Sequence, residues 1–416
     1  MDDRGGWPRG PARPSGRRVP WPAGASRPVT SPLQASVVYA AESPDALDSQ
    51  YEGRLEGWTY AREGHPNAAV VAQMIDGLEG VSSGVMTGSG MAAVSAALLA
   101  LAGAGDHVIG ADQLYGRSLR LLREDLPRLG IATSLADATR ADDVAAAVRP
   151  NTRAILCEAV SNPTLRVADL AGIAEVAREH GIALVIDNTF TTPRGLRAAD
   201  HGADVIVHSV TKLLAGHSDA TLGWLAARDP EVAARIATLV QTWGMTPAPF
   251  DCWLAERGLH SFALRYDRAE ATAAHLAEAL AEMPGVARVL YPGRADHPDR
   301  ARAEHLLQGR NGTMVSFEVT GGRAAANALV AAMPGVPFAP TLGDIGTTRS
   351  HPATSSHRGL TAEGPGALGV SEGFFRVSVG VEEVPALIEE FKAGIAAAHA
   401  SSSQAANQDN SGISTI

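Results

Sequence analysis

Two hydrophobic patterns alternate between residues 91 and 210. Residues 91–102 are apolar nearly all round, as in a buried helix, and residues 169–180 have helical spacing that ends at Gly181. Continuous apolar runs, typical of buried strands, occupy residues 106–111, 154–160, 182–187 and 204–210. Short apolar strands that alternate with helices predict an α/β fold whose mostly parallel sheet is covered on both faces.

The pattern changes after about residue 258. Alanine-rich helical segments at 267–283, 322–333 and 384–398 alternate with strands at 286–291, 313–319 and 374–379. This arrangement predicts a smaller C-terminal α+β domain. The predicted divisions are an N-terminal arm at 1–59 with residues 1–32 disordered, a large domain at 60–258, the C-terminal domain at 259–399 and a disordered tail at 400–416.

Charge and composition argue against several functional classes. The chain carries 45 acidic and 35 basic residues, a net charge of −10, which argues against a nucleic-acid partner. No apolar run is long enough to span a bilayer, so we expect no membrane partner. The two cysteines, Cys157 and Cys252, provide neither a disulfide framework nor a cysteine zinc site, and the histidine spacing indicates no metal. We therefore expect a cytoplasmic protein without a bound metal.

Lysine is nearly absent from this sequence. Arginine supplies all the basic residues except Lys212 and Lys392. Arginine serves most surface positions as well as lysine does, but a guanidinium cannot lose its proton to form an imine. Lys212 follows the strand predicted at 204–207, at the sheet edge where ligands bind in open α/β folds. An exposed loop lysine is the alternative, but the scarcity of lysine favours a chemical role.

Two further segments lie at the ends of predicted elements. Asp187 ends an apolar strand, where a carboxylate suits pairing with a cationic ring nitrogen or, alternatively, capping a turn. Residues 87–93, with the sequence TGSGMAA, open the buried helix, and their glycines allow backbone amides to approach an anion. The segment also fits the dinucleotide pattern G-x-G-x-x-A, which leaves a nicotinamide-dependent oxidoreductase open as an alternative.

Several short motifs occur in order along the chain. They are Tyr60-Ala61-Arg62, Ser89-Gly90-Met91, Leu114-Tyr115-Gly116, Ser161-Asn162-Pro163, Asp187-Asn188-Thr189, His208-Ser209-Val210-Thr211-Lys212, Thr341-Leu342-Gly343-Asp344 and Phe375-Arg376-Val377-Ser378-Val379-Gly380. From about residue 32 to 398, the sequence thereby resembles the pyridoxal-phosphate (PLP) enzymes of cysteine and methionine metabolism. That family includes cystathionine γ-synthase, cystathionine γ-lyase, methionine γ-lyase and O-acetylhomoserine sulfhydrylase. The resemblance implies a fold-type-I PLP-dependent transferase.

The resemblance also implies roles in binding the cofactor. Lys212 would carry pyridoxal 5'-phosphate as an imine and shuttle protons, and Asp187 would pair with the pyridine nitrogen. Asn162 would lie near the phenolic oxygen of the cofactor. Tyr115 would stack on the ring and handle the proton of the leaving group. The phosphate would be held by Gly90, Met91, Ser209 and Thr211.

Other implied roles concern the substrate and a neighbouring subunit. Arg376 would bind the α-carboxylate of an amino-acid substrate, and Thr341 would line the substrate pocket. Arg120 would reach a distal carboxylate. Tyr60 and Arg62 would bind the phosphate of a neighbouring subunit, in a homotetramer built as a dimer of dimers with shared active sites.

The implied activity is a lyase or transferase reaction at the γ-carbon of a sulfur amino acid. We expect γ-elimination or γ-replacement on a substrate of the cystathionine, O-acylhomoserine or methionine type. Substrate-pocket positions depart from the family pattern, since Pro340 replaces a common glutamate and Thr341 the usual serine. The same chemistry with an unusual nucleophile or a sulfonium substrate is therefore an alternative, as is a non-catalytic family member.

Overall fold

The computed structural model describes Ser26 and residues 28–355 and 369–411. The described residues from Leu33 onward form one compact unit. The disorder predicted for residues 1–32 concerns a segment that lies mostly outside the described residues. Among the described residues, no helix combines the length and apolar content that a membrane crossing requires.

A seven-stranded sheet forms the centre of the larger part. Its strands are β1 (Val85–Thr87), β2 (His107–Ala111), β3 (Ala132–Ala136), β4 (Thr152–Glu158), β5 (Ala183–Asp187), β6 (Val205–His208) and β7 (Gly223–Ala227). Their order is β1-β7-β6-β5-β4-β2-β3. Strands β3, β2, β4, β5 and β6 are parallel, whereas β7 and β1 pair antiparallel at one edge. The mostly parallel α/β sheet predicted from the sequence is confirmed.

Eleven of the described helices precede the second sheet. They are α1 (Pro44–Tyr51), α2 (Pro66–Glu79), α3 (Gly90–Leu101), α4 (Gly116–Arg120), α5 (Leu126–Arg128), α6 (Ala141–Ala146), α7 (Leu170–His180), α8 (Thr192–Gly195), α9 (Pro230–Thr242), α10 (Pro249–His260) and α11 (Phe262–Ala281). A π-helical turn, Leu121–Asp125, joins α4 to α5, and a 3₁₀ turn, Ala198–His201, precedes β6. Helix α7 begins at Asp169, which accepts from the Gly172 amide, and ends at left-handed Gly181, as its sequence predicts.

A four-stranded antiparallel sheet forms the smaller part. Its strands are β8 (Val286–Leu290), β9 (Met314–Val319), β10 (Thr348–Ser350) and β11 (Phe374–Ser378), in the order β10-β11-β9-β8. The helices that accompany it are α12 (Arg300–Leu307), α13 (Gly322–Ala332) and α14 (Val384–Ser411), and a 3₁₀ turn, Pro352–Thr354, follows β10. The predicted C-terminal α+β part is therefore confirmed.

Helix α11 contributes to two separate apolar cores. Phe262 and Tyr266, near its start, pack in the core around the large sheet, whereas Leu276 and Leu280 pack in the core of the small sheet. The boundary predicted at 258/259 falls inside α10. We propose that the change of domain lies along α11, because one continuous helix serves both cores.

The last helix extends beyond its predicted end. The sequence predicts a disordered tail from residue 400, but α14 continues to Ser411. The hydroxyls of Ser402 and Ser403 donate to carbonyls four residues earlier, and alanine and glutamine in this segment are good helix formers. Residues 412–416 of the predicted tail lie outside the described residues.

Candidate active site

A cavity of about 270 Å³ opens beyond the carboxyl ends of β4, β5 and β6. Strand β11 of the small sheet and the loop before β10 close its other side. The residues that line it are Ser89, Gly90, Met91, Val94, Tyr115, Ser118, Glu158, Asn162, Asp187, Thr189, Phe190, Ser209, Thr211, Lys212, Thr221, Pro340, Thr341, Leu342, Ser350, Ser355 and Arg376. The carboxyl edge of a parallel sheet is the expected ligand site, because the strand ends and the following loops leave a crevice there.

Lys212 projects its amine into this cavity. Nζ donates to Oγ1 of Thr341 over 3.4 Å. The loop that carries Thr341 approaches closely because Gly343, at φ +80°, has no side chain; a Cβ there would lie 2.4 Å from the Leu213 amide nitrogen. Burial, with a smaller contribution from the cation of Arg376, lowers the pKa of Lys212. A lowered pKa increases the fraction of neutral amine, the form that forms imines and accepts protons.

Asp187 lies at the end of β5 with its carboxylate oriented by the following turn. Its Oδ1 accepts from the Thr189 amide at 3.1 Å and from the Thr189 hydroxyl at 2.5 Å. The same hydroxyl accepts from the amide of Ser209, which connects this turn to the lysine loop. Burial raises the pKa of Asp187, and a cation beside it would favour the ionised carboxylate.

The start of α3 and the lysine loop form an anion cradle. Ser89 caps α3 by accepting from the Ala92 amide, and the amides of Gly90 and Met91 are among the first of the helix, which no preceding turn can satisfy. Gly90 is required here, because a Cβ would lie 2.5 Å from Cβ of Ser209. Thr211 also lines the cavity, but its hydroxyl donates to the Leu222 carbonyl and accepts from the Leu222 amide.

Arg376 lies on β11 and is almost fully buried. Its Nη1 donates to Oδ1 of Asn162 and its Nη2 to the Thr341 carbonyl, both at 2.8 Å. Its Nε is buried without a hydrogen-bond partner among the described residues. Burial lowers the pKa of Arg376 to about 10, which still leaves it cationic at neutral pH. A buried cation with an unused donor is suited to binding a carboxylate.

Glu158 is a site residue that the sequence reasoning missed. It ends β4 and pairs in register with Asp187, and its Oε1 accepts from the Tyr115 amide at 2.8 Å. The Tyr115 ring lies at the cavity wall and is partly exposed. The available signal was a carboxylate at the end of an apolar strand, the same signal that identified Asp187. Because the strand was predicted to run from 154 to 160, Glu158 was interpreted as an interior strand residue and not as a residue at the strand end.

Three predicted site residues lie outside the cavity of a single chain. Tyr60 is exposed, and Arg62 lies over its ring with 5.3 Å between Cζ and the ring centroid. Arg120 pairs with Glu124 over 3.1 Å, one helical turn away, and both side chains are exposed. The roles predicted for Tyr60 and Arg62 in a neighbouring subunit remain predictions. The cavity of one chain does not include Arg120.

The residues of this cavity fit the expected cofactor. The cradle at Gly90 and Ser209 suits a phosphate, Asp187 suits a protonated ring nitrogen, and Lys212 provides the amine for an imine. Asn162 and Tyr115 complete the wall between them. Bound pyridoxal phosphate would also supply the cation that the buried Asp187 lacks.

Comparison with known proteins agrees with this fit. Residues 22–396 match the model of the family described as Cys/Met metabolism PLP-dependent enzyme. A cystathionine beta-lyase of Bacillus subtilis is 38% identical over 335 residues, which cover 80% of this chain and 85% of that protein. An O-succinylhomoserine sulfhydrylase of Pseudomonas aeruginosa is 34% identical, over 84% of this chain and 86% of that protein.

Comparison with a solved structure also indicates a PLP-dependent enzyme. The chain superimposes with a TM-score of 0.85 on a putative O-acetylhomoserine (thiol)-lyase of Campylobacter jejuni, at 27% identity over 89% of this chain and 96% of that one. That structure carries a pyridoxyl-lysine phosphate. The nicotinamide alternative was wrong, because the family match and the pyridoxyl-lysine of that structure both indicate pyridoxal phosphate. Among the described strands, β1, which precedes the glycine segment, pairs antiparallel with β7, unlike the parallel first strand of a dinucleotide-binding fold. The chain therefore belongs to the PLP-dependent enzymes of cysteine and methionine metabolism, and its cofactor is pyridoxal 5'-phosphate.

Proposed function

We propose that the protein catalyses γ-elimination or γ-replacement on a γ-substituted amino acid of the cystathionine, O-acylhomoserine or methionine type. The observation that carries this proposal is the placement of the Lys212 amine and the Arg376 guanidinium in one cavity, with the Tyr115 ring in the same wall. These groups provide a proton carrier, a carboxylate site and a second proton carrier.

Each of these side chains has a separate task. Bound pyridoxal phosphate supplies an electron sink for charge that develops on the substrate. The lowered pKa of Lys212, caused by burial and by Arg376, suits its amine to moving protons between the α- and β-carbons. The Tyr115 hydroxyl delivers a proton to the leaving group. Arg376 binds the α-carboxylate, and Asn162 and Thr341 orient its guanidinium.

The charges around the cavity favour a γ-substituent without a negative charge. Among the described lining residues, the cations are Lys212 and Arg376, and both have tasks in this proposal. A distal carboxylate would therefore have no cation of its own in that part of the wall. Because Arg120 pairs with Glu124 on the surface, it does not supply one within a single chain.

We further propose that the active protein is a homotetramer, a dimer of dimers in which Tyr60 and Arg62 complete a neighbour's phosphate site. The segment before α2 supports this, because it exposes large apolar side chains that a partner would cover. They include Val37, Val38, Tyr51 and Leu55. The cytoplasm is the compartment we propose, since both cysteines are free thiols.

The proposal is tested by incubating the PLP-loaded protein with a substrate panel and identifying products by mass spectrometry. The panel contains L-cystathionine, methionine, O-acetyl- and O-succinylhomoserine and S-methylmethionine, each with and without an added thiol. Formation of 2-oxobutyrate, or of a thioether with the added thiol, supports γ-chemistry. Pyruvate with homocysteine from cystathionine would instead establish β-cleavage. No product from any member would favour a non-catalytic protein or a substrate outside the panel and would contradict the proposal.

A further inference from the structure

Glu158 places a second carboxyl group beside Asp187. The two residues are register partners at the ends of adjacent parallel strands, β4 and β5, and both line the cavity. The fit of the cofactor assigns Asp187 to the pyridine nitrogen but assigns Glu158 no role. Two adjacent buried carboxylates repel each other strongly, so one of them holds a proton unless a cation compensates.

Among the described residues, no cation makes a hydrogen bond or ion pair with the Glu158 carboxyl group. The guanidinium of Arg376 acts on it through space, because both Nη groups donate elsewhere, to Asn162 and Thr341. Burial, reinforced by the charge of Asp187, raises the pKa of Glu158 well above its usual range. On its far side lies a small polar cavity whose wall includes Asp112, Asp137 and Arg166, and the cation there, Arg166, is paired with Asp299.

The two oxygens of Glu158 have different surroundings. Oε1 accepts from the Tyr115 amide at 2.8 Å, and the Asn162 amide also donates to this carboxyl group. Oε2 is buried with no hydrogen-bond partner among the described residues. A buried polar atom without a partner is rare and costly, and Glu158 is one of the residues that line the cofactor cavity.

We propose that Glu158 is a positioning residue that stays protonated in the loaded enzyme. Its carboxyl group fixes the backbone amides of Tyr115 and Asn162, the two residues that the family resemblance places beside the cofactor ring. Oε2, which has no partner among the described residues, carries the proton. Asp187 then supplies the one negative charge at the ring nitrogen, and Glu158 sets the ring's orientation without adding a second charge.

The test compares Glu158→Gln, Glu158→Leu and the matched amide change at the partner position, Asp187→Asn. Glutamine accepts and donates as a neutral carboxyl group does but cannot ionise, whereas leucine leaves the amides of Tyr115 and Asn162 without an acceptor. The readouts are the dissociation constant of pyridoxal phosphate and the visible circular dichroism of the bound cofactor. Both are measured without substrate, so they stay informative if the proposed γ-chemistry on which this inference rests fails.

We expect Glu158→Leu to raise the dissociation constant roughly 10- to 100-fold and to reduce the visible dichroism. Glu158→Gln should restore the constant to within about threefold and recover the dichroism, whereas Asp187→Asn should not. A glutamine variant as impaired as the leucine variant would show that the charge is required and would overturn the proposal. A leucine variant that matches the wild type in both readouts would overturn it too. If the leucine variant does not fold, the two amide variants test the proposal. It is supported if Glu158→Gln binds pyridoxal phosphate nearly as well as the wild type while Asp187→Asn does not, and it is overturned if both variants are equally impaired.

Discussion

Arg376 and Asn162 meet in the cavity wall through a 2.8 Å hydrogen bond between Nη1 and Oδ1, although 214 positions separate them in the chain. The bond joins the small antiparallel sheet to the loop that follows β4 of the large one. It fixes the plane of the guanidinium, and the buried Nε still has no partner among the described residues. The guanidinium is therefore pre-oriented by partners from both parts of the fold.

Arg376→Lys should weaken substrate binding without removing the cofactor. Lysine keeps a positive charge but lacks the fork that contacts Asn162 and Thr341 together. Loss of a charge-assisted hydrogen bond in a closed site costs about 1.5–3 kcal/mol, so kcat/KM should fall roughly 10- to 150-fold, mainly through KM. Steady-state kinetics with the cofactor absorbance as a loading check measures this.

Arg349 provides the matched control for that change. It is a buried arginine on β10, the strand next to Arg376, and its Nη2 donates to the Val330 carbonyl, away from the cavity. Arg349→Lys should lower the melting temperature and leave KM as it is. An equal rise in KM for both variants would mean that disturbing the packing of the small sheet is enough to weaken substrate binding. That result would contradict a carboxylate site at Arg376.

Lys212→Arg should retain the positive charge and lose the imine with pyridoxal phosphate. Lys392→Arg is the control, because Lys392 is exposed on α14 and pairs with Glu389 over 2.6 Å. Borohydride reduction followed by peptide mass spectrometry should find a reduced pyridoxyl adduct on Lys212 in the wild type and in Lys392→Arg. An adduct elsewhere in the Lys212→Arg protein would refute the assignment.

Arg62→Ala and Lys212→Ala should each be inactive alone and partly active together. A mixed oligomer has one site in which the neighbour's Arg62 and the local Lys212 are both intact. Denaturing and refolding equal amounts together, then measuring activity per mixed oligomer, detects the recovery. If native mass spectrometry confirms mixed oligomers and activity stays at the level of the separate variants, shared sites are ruled out.

Arg120→Ala distinguishes substrate classes. Because Arg120 is exposed and paired with Glu124, we expect kcat/KM to fall by no more than about threefold, equally for substrates with and without a distal carboxylate. Arg117→Ala is the control, because Arg117 is an exposed arginine on the same helix, α4. A loss of roughly 10- to 150-fold confined to cystathionine or O-succinylhomoserine would instead assign Arg120 to a distal carboxylate, supplied to the cavity through assembly.

Asp112→Asn should make stability less dependent on pH. Burial, with the charge of Asp137, raises the pKa of Asp112 to about 6 from 3.8. A carboxyl group with a raised folded-state pKa destabilises the fold as pH rises from about 4 through 6, because the unfolded chain releases the proton more readily. The stability of the variant relative to the wild type should therefore rise by about 1–2 kcal/mol from pH 4 to 8, after allowance for solvent screening. Urea unfolding at several pH values measures this, and a constant difference would contradict it.

The sequence predicted the elements that carry the site because their patterns are local. The apolar run that ends at Asp187 and the helix between Asp169 and Gly181 are each read within one segment. Lys212 was identified through composition, since lysine is scarce enough to make one position informative. These signals need no knowledge of which strands pair.

Relationships between distant segments could not be obtained in this way. The register that places Glu158 beside Asp187 depends on the pairing of β4 with β5, and the bond from Glu158 to the Tyr115 amide joins residues 43 positions apart. The resemblance placed Arg120 near the substrate, but one chain directs its side chain to Glu124. Thr211 was predicted to hold phosphate, whereas its hydroxyl bonds the backbone of Leu222. No pattern of apolar spacing carries such information.

The scarcity of lysine has a practical consequence for handling this protein. Of its two side-chain amines, Lys212 is enclosed in the cavity and Lys392 is exposed on the last helix. An amine-reactive support or dye therefore meets one accessible lysine, because the other is enclosed in the cavity. Attachment through Lys392, with the α-amino group blocked beforehand, would hold the molecules in a common orientation by the small domain and leave Lys212 untouched.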